Sequence, residues 1–124
     1  MKLNLKILAL LLVGLFPMLS SISYADEAPE SIQLTLVVTD ADKINLTAVK
    51  MVEKGLNAYE AIKRLVVVGV KDTSYGPQIM SLSGVEAIGN SYWALYVNGA
   101  MSMVGAHDVI LIDDTFIRLN MEDF

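Results

Sequence analysis

The sequence predicts an α+β domain: a mixed sheet with one helix packed on one of its faces. Three observations carry that expectation. Ile32, Leu34, Leu36 and Val38 alternate with Gln33, Thr35 and Val37, the period-two pattern of a strand with one buried face. Ala58, Ala61, Ile62, Leu65 and Val66 follow Asn57 at the spacing of an amphipathic helix. Tyr92 to Gly99 (YWALYVNG) is aromatic and β-branched, suits a pleated surface, and ends in Asn-Gly, the strongest short-range hairpin signal.

The elements follow in chain order. Residues 1–25 read as a secretory signal peptide. Lys2 and Lys6 give a positive start, Ile7 to Leu19 an apolar stretch broken by Pro17, and Ser23-Tyr24-Ala25 small residues at the cleavage positions. An uncleaved anchor would need about 20 apolar residues, and this run is shorter. The expected product is therefore exported, periplasmic or extracellular, with no stable membrane anchor after cleavage. Residues 26–30 form a short polar leader containing Pro29, and residues 31–124 form the domain.

The first strand ends at Asp40-Ala41-Asp42-Lys43, a turn, and Thr47 to Glu53 alternate as a second strand antiparallel to the first. Asn57 stands three residues before Glu60, as in a capping box, so the helix starts there. The β-branched stretch Val66-Val67-Val68-Gly69-Val70 predicts fraying near Gly69. Asp72 to Pro77 reads as a loop marked by Gly76-Pro77. Short strands are expected over Gln78 to Ser83, Val85 to Ile88 and Val109 to Ile112. Asp113-Asp114 turns into a final strand in which Phe116, Arg118 and Asn120 alternate with Ile117, Leu119 and Met121. A hairpin, a crossover helix and a closing C-terminal strand make the β-grasp order.

Composition narrows the function. Cleavage after Ala25 removes Lys2 and Lys6 and no acid, so the net charge moves from −5 to −7. Neutralising phosphates needs clustered Lys and Arg, so nucleic acid is not an expected partner. The chain has no cysteine, which rules out disulfides, thiolate metal sites and a lipidated cysteine. His107, beside Asp108, is the single histidine and lacks a nucleophile elbow or other catalytic company. The chain is therefore not expected to be an enzyme.

Other residues suggest binding. Met101-Ser102-Met103, if extended, puts both thioethers on one face, and soft sulfur suits Cu(I). Met is also an adaptable packing residue. Along the aromatic strand Tyr92, Ala94 and Tyr96 share one face, while Trp93, Leu95 and Val97 share the other. Trp93 is assigned to the core, and Tyr75, Tyr92 and Tyr96 are left for a ligand platform or helix packing.

A resemblance sharpens these assignments. Asn57-Ala58-Tyr59-Glu60-Ala61, Tyr75-Gly76, Ile79, Ser81-Leu82-Ser83-Gly84-Val85, Tyr92-Trp93, Val97-Asn98-Gly99 and Val104-Gly105-Ala106 resemble the transcobalamin-like C-terminal domain family, domain of unknown function 4430. The resemblance covers nearly all of residues 26–124. Asp113-Asp114-Thr115 departs from the family's usual Asp-Gly-Asp, and Val109 stands where an aromatic commonly follows the acid. The resemblance implies a β-grasp-like fold and an exported protein. It also implies a small-molecule ligand, cobalamin or a related corrinoid, held or presented to a transporter or another envelope protein. The candidate ligand-binding residues on that reading are Tyr75, Tyr92, Trp93, Asn98, Met101, Met103 and His107. The alternatives are a protein-interaction module docking through a sheet edge or its loops, and Cu(I) binding through methionine.

Overall fold

The computed structural model describes residues 30–124. The expected signal peptide, and the leader apart from Glu30, lie outside the described residues. No helix among the described residues is long and apolar enough to cross a membrane.

Strand β1 (Ser31–Asp40) and strand β2 (Ile44–Glu53) form an antiparallel hairpin. The Lys43 N–H closes its turn by donating to the Asp40 carbonyl at 2.7 Å. Strand β2 begins at Ile44 rather than Thr47, because Ile44 and Leu46 extend the set of side chains packed against the core.

Helix α1 (Ala58–Lys63) starts where the cap pattern places it. The Asn57 Oδ1 accepts from the Glu60 N–H at 2.9 Å, satisfying one of the orphan donors of the first turn. The helix ends at Lys63, well before Gly69. Its last turn tightens: Arg64 and Leu65 donate to the carbonyls of Ala61 and Ile62 at 3.1 and 3.0 Å. Of the valines that follow, stiff at χ1, Val66 packs into the core, Val67 turns outward and Val68 enters a strand.

That strand, β3 (Val68–Thr73), pairs antiparallel with β4 (Gly76–Leu82) across Ser74-Tyr75. The expected loop over Asp72 to Pro77 is therefore mostly a hairpin. Ser74 and Tyr75 keep negative φ, and the left-handed residue that closes this hairpin is Gly76 at φ 107°. Strand β5 (Val85–Glu86) completes a three-stranded sheet in the order β3-β4-β5.

The aromatic stretch forms β6 (Ser91–Val97) and turns through Asn98 (φ 51°) and Gly99 (φ 87°) into β7 (Ala100–Met101). Both turn residues have the positive φ that a type I′ hairpin demands. The segment Val109 to Ile112 is not a strand. Its backbone clamps the helix entrance instead, Gly55 and Ala58 donating to the Leu111 and Val109 carbonyls at 2.7 Å each. Burial of Leu111 in this clamp gives the segment its alternation.

The final strand, β8 (Thr115–Asp123), lies between β1 and β6. It runs parallel to β1 and antiparallel to β6, so the five-stranded sheet is mixed, in the order β2-β1-β8-β6-β7. Leu34, Leu36, Val38, Ile117 and Leu119 point to its inner face and are buried. Helix α1, the small sheet and a 3-10 turn at Ala106–Asp108 cover that face through Ala58, Ala61, Ile62, Leu82 and Ala106. The architecture is α+β, dominated by strands, as expected.

Asn57→Ala removes the cap acceptor and strands the Glu60 N–H. Denaturant unfolding should show a loss of about 1 kcal/mol, with Asn57→Asp recovering most of it.

Candidate functional site

Strand β6 positions the site because its outer edge is only partly paired. Strand β7 ends at Met101, and Ser102 adds one further bond, its N–H donating to the Leu95 carbonyl at 2.8 Å. On the other side the Asn98 N–H donates to the Phe116 carbonyl at 2.7 Å. Antiparallel ladders alternate the direction of their hydrogen-bonding groups. The Trp93 N–H and carbonyl and the Leu95 N–H therefore point away from β8, and no described strand pairs with them.

Opposite this open edge stand Pro77, Gln78 and Ile79 of β4. The gap is a cleft of about 240 Å³, floored by Trp93 and Leu119 and closed by Met101, Ser102 and the Val104–Ala106 segment. A second hollow of about 310 Å³ adjoins it, between Tyr75, Gly76 and His107. Pro77, Gln78 and Gly105 line both, so the two form one groove between the sheets.

Two ring nitrogens of residues that line this groove are buried without partners. Trp93 is buried in the core cluster, yet its Nε1 has no hydrogen-bond partner. The His107 Nδ1 is likewise buried and unpaired, while its Nε2 lies 3.3 Å from the Asp108 Oδ2. An unpaired buried polar group costs roughly 1–3 kcal/mol. Glycines hold the imidazole. A Cβ on Gly76 would lie 2.4 Å from the His107 Nε2, and one on Gly105 would lie 3.0 Å from the ring.

The structure sorts the sequence candidates. It brings Tyr92, Trp93 and Met101 to the cleft, and Tyr75 and His107 to the adjoining hollow. Asn98 and Met103 line neither. The Asn98 side chain is spent on the hairpin, its Oδ1 accepting from the Phe116 N–H at 2.9 Å. Met103 is 93% exposed. The chain bends after Met101, where the Ser102 hydroxyl donates to the Val104 carbonyl at 2.8 Å, so the two thioethers do not share an extended face.

The tyrosine face is largely engaged within the protein. The Tyr96 hydroxyl donates to the Glu122 Oε2 at 2.7 Å, and the Asn120 amide donates to the same oxygen at 3.0 Å. Tyr92 packs tilted on Phe124, with ring centroids 5.7 Å apart. Bonding to Tyr96 and then to Asn120 holds Glu122 below the usual carboxylate value, and the same Tyr96–Glu122 bond pushes Tyr96 above the usual phenol value.

Sequence reasoning missed Pro77, Gln78 and Ile79. Their only signal was Gly76-Pro77, which reads as a loop. No group of three His, Asp or Glu side chains that could hold a metal is found among the described residues.

The chain matches known proteins at two levels, family and fold. A family model described as a domain of unknown function, DUF4430, matches residues 50–123. No curated protein sequence matches the chain. Among solved structures, haptocorrin in complex with Cbi is similar at TM-score 0.68 and 15% identity, over 78% of this chain. The match covers 26% of haptocorrin, so the chain spans about a quarter of that protein. A presumed metal binding protein from Ruminococcus gnavus ATCC 29149 is similar at TM-score 0.65 and 15% identity, over 75% of this chain and 98% of its own. At these identities the likeness establishes a shared fold.

Two predictions follow from the groove and the tyrosine face. Gly76→Ala forces a Cβ into the imidazole at a positive φ. It should move the His107 ring resonances in NMR spectra and lower the unfolding midpoint, whereas Ser74→Ala should do neither. Glu122 has its folded pKa lowered, so its stabilising bond is present above the usual carboxylate value and lost as pH falls through the lowered one. Tyr96 has its folded pKa raised, so its contribution is present below the usual phenol value and lost as pH rises through the raised one. Tyrosinate absorbance should show one late-ionising tyrosine, which Glu122→Gln returns toward the ordinary range.

Proposed function

The chain belongs to the DUF4430 domain family, and from that membership we propose that it is an exported small-ligand-binding module whose ligand is a corrinoid. The observation that carries the reading is the groove between the sheets, with unpaired backbone groups at the β6 edge and unpaired ring nitrogens of Trp93 and His107 in its walls. A corrinoid is broad and amphipathic, and its rim carries amides. Such a rim asks for apolar contact along its body and for N–H and carbonyl partners at its edge. Trp93, Met101 and Tyr75 supply the first, and the outward backbone groups of Trp93 and Leu95 supply the second.

Size limits what the groove can do alone. Pockets that enclose a drug-sized ligand run to about 300–1,000 Å³; the two hollows of the groove, about 240 and 310 Å³, lie at the low end of that range, and a corrinoid is larger than a drug-sized ligand. The groove would grip one rim and leave the rest of the ligand open. Haptocorrin, which is solved with Cbi, has a chain about four times the matched length, so other parts of that protein are available to cover its ligand. In this protein the uncovered face would meet a transporter or another envelope partner, and the role is presentation rather than sequestration. We read the mixed sheet, with its hairpin, single helix and C-terminal strand beside β1, as a β-grasp-like scaffold, and the chain as a binding protein rather than an enzyme.

Cobinamide and cobalamin titrations test this. Trp93 is the only tryptophan, so binding should quench its emission while the corrin absorbance shifts, and Met101→Lys should weaken both responses about tenfold or more. No response up to about 1 mM, an affinity of about −4 kcal/mol, would exclude the reading.

A further inference from the structure

We propose that β2 is a homodimerisation edge, through which two copies of this chain pair antiparallel about a two-fold axis at Val49. Strand β2 is the outer strand of the five-stranded sheet and pairs only with β1. It is ten residues long, and no described residue covers its outer side. The Lys54 N–H donates to the Glu30 carbonyl at 2.8 Å, which turns the backbone of the even-numbered residues toward β1. The N–H and carbonyl groups of Asn45, Thr47, Val49 and Met51 therefore face outward and unpaired, while the Glu53 carbonyl accepts from the Leu56 N–H at 3.2 Å.

An exposed edge of this kind is a template for another strand, and soluble proteins usually blunt it. Of the common devices β2 carries one, the charge of Lys50 on its core face. It has no proline and no bulge in its register with β1, and Lys50 is the only charge before Glu53. The middle of its solvent face carries two large apolar side chains, Val49 being 59% and Met51 56% exposed.

The sequence of the edge is complementary to itself. A two-fold axis requires each residue to meet its symmetry mate, and side chains keep to their own face only in registers where odd residues oppose odd ones. Centred on Val49, the solvent face sets Val49 on its counterpart, Met51 on Thr47 and Glu53 on Asn45. The core face sets Leu46 on Val52 and Ala48 on Lys50. Every outward backbone group from Thr47 to Met51 then finds a partner. Sliding the copies so that Lys50 is central stacks like charges, which is destabilising. Sliding them the other way sets Met51 on Asn45 and Lys50 on Leu46. Val49, Thr35 and Phe116 lie in one row across the sheet, which the central register continues through the axis. The groove lies toward the opposite edge, so pairing leaves it open, and the dimer stands or falls apart from the ligand reading.

The absence of cysteine gives a direct test. Residues facing each other in a hydrogen-bonded antiparallel pair have Cα atoms about 5.5 Å apart, within the disulfide range of about 4.4–6.8 Å. Val49→Cys, in protein produced from the complete sequence, should give a covalent dimer under mild oxidation. Asn45→Cys, whose counterpart would be roughly 26 Å away at about 3.3 Å per residue, should stay a monomer. Sedimentation equilibrium should show a concentration-dependent dimer that Val49→Lys weakens at least tenfold, with circular dichroism and Trp93 emission unchanged. Val49→Pro, at an edge position whose N–H faces out, should do the same. A wild-type monomer at all concentrations, or cross-linking no faster at position 49 than at 45, would overturn the proposal. So would a monomer whose odd-numbered β2 amides are protected from exchange, which would assign the edge to the chain's own residues before Glu30.

Discussion

The parallel pairing of β1 with β8 is the constraint on which the rest of the structure depends. It joins the first and last strands of the described chain, with contacts spanning 81 residues of sequence. Strand β8 fills the slot between β1 and β6, so without it the sheet is only two separate hairpins. A lone two-stranded hairpin is marginal in water. Insertion of β8 also places Ile117 and Leu119 beside Leu36 and Val38, creating the buried face that α1 and the small sheet cover. Loop closure over such a length adds only slowly to the entropic cost, so the stability penalty is modest. The kinetic penalty is larger, because non-local and parallel pairing form late.

Two asparagines show where local chemistry was legible from sequence. Asn57 caps α1 and Asn98 turns the aromatic hairpin, as their neighbours imply. Each acts within a few residues, so the information lies in the adjacent sequence. The alternation of β1 and β8 was legible for the same reason, since each has one buried face. The errors fall where tertiary contacts outrank local pattern. The helix was expected to fray only near Gly69, but it ends at Lys63 and the β3–β4 pairing takes Val68 to Val70. Leu111 is buried by backbone clamping of the helix entrance, which mimics strand alternation. Gly76-Pro77 looks like a loop because it lies at the mouth of a hairpin whose turn is the preceding pair.

The groove was less legible than the fold, and the reason is geometric. It is formed by one sheet facing another, with Trp93 on one wall and Pro77 and Gln78 on the other. No period in the sequence encodes that apposition. Even the residue type most easily singled out misleads in part. Trp93 is a core residue by burial, but its Nε1 is left without a partner. Asn98 stands in the most distinctive motif of the chain and spends its side chain on Phe116. Conspicuous residues here are often conspicuous because the fold needs them.

The two outer edges of the main sheet are finished in different ways, and the difference organises the surface. On the β6 side, two-residue β7 satisfies the far end of the edge and then bends away at Ser102. The truncation leaves a short run of backbone groups facing a cleft that is too narrow for another strand, because β4 and the Val104–Ala106 segment crowd it. Such a gap suits the rim of a small molecule better than a peptide. On the β2 side no described strand pairs with the edge, and Val49 and Met51 are exposed beside it. That geometry suits a full strand and offers no hollow for a small molecule. One sheet thus presents a partial edge enclosed by side chains and a complete edge open to solvent. Backbone hydrogen bonding is available at both, and only the space around it decides which kind of partner each can take.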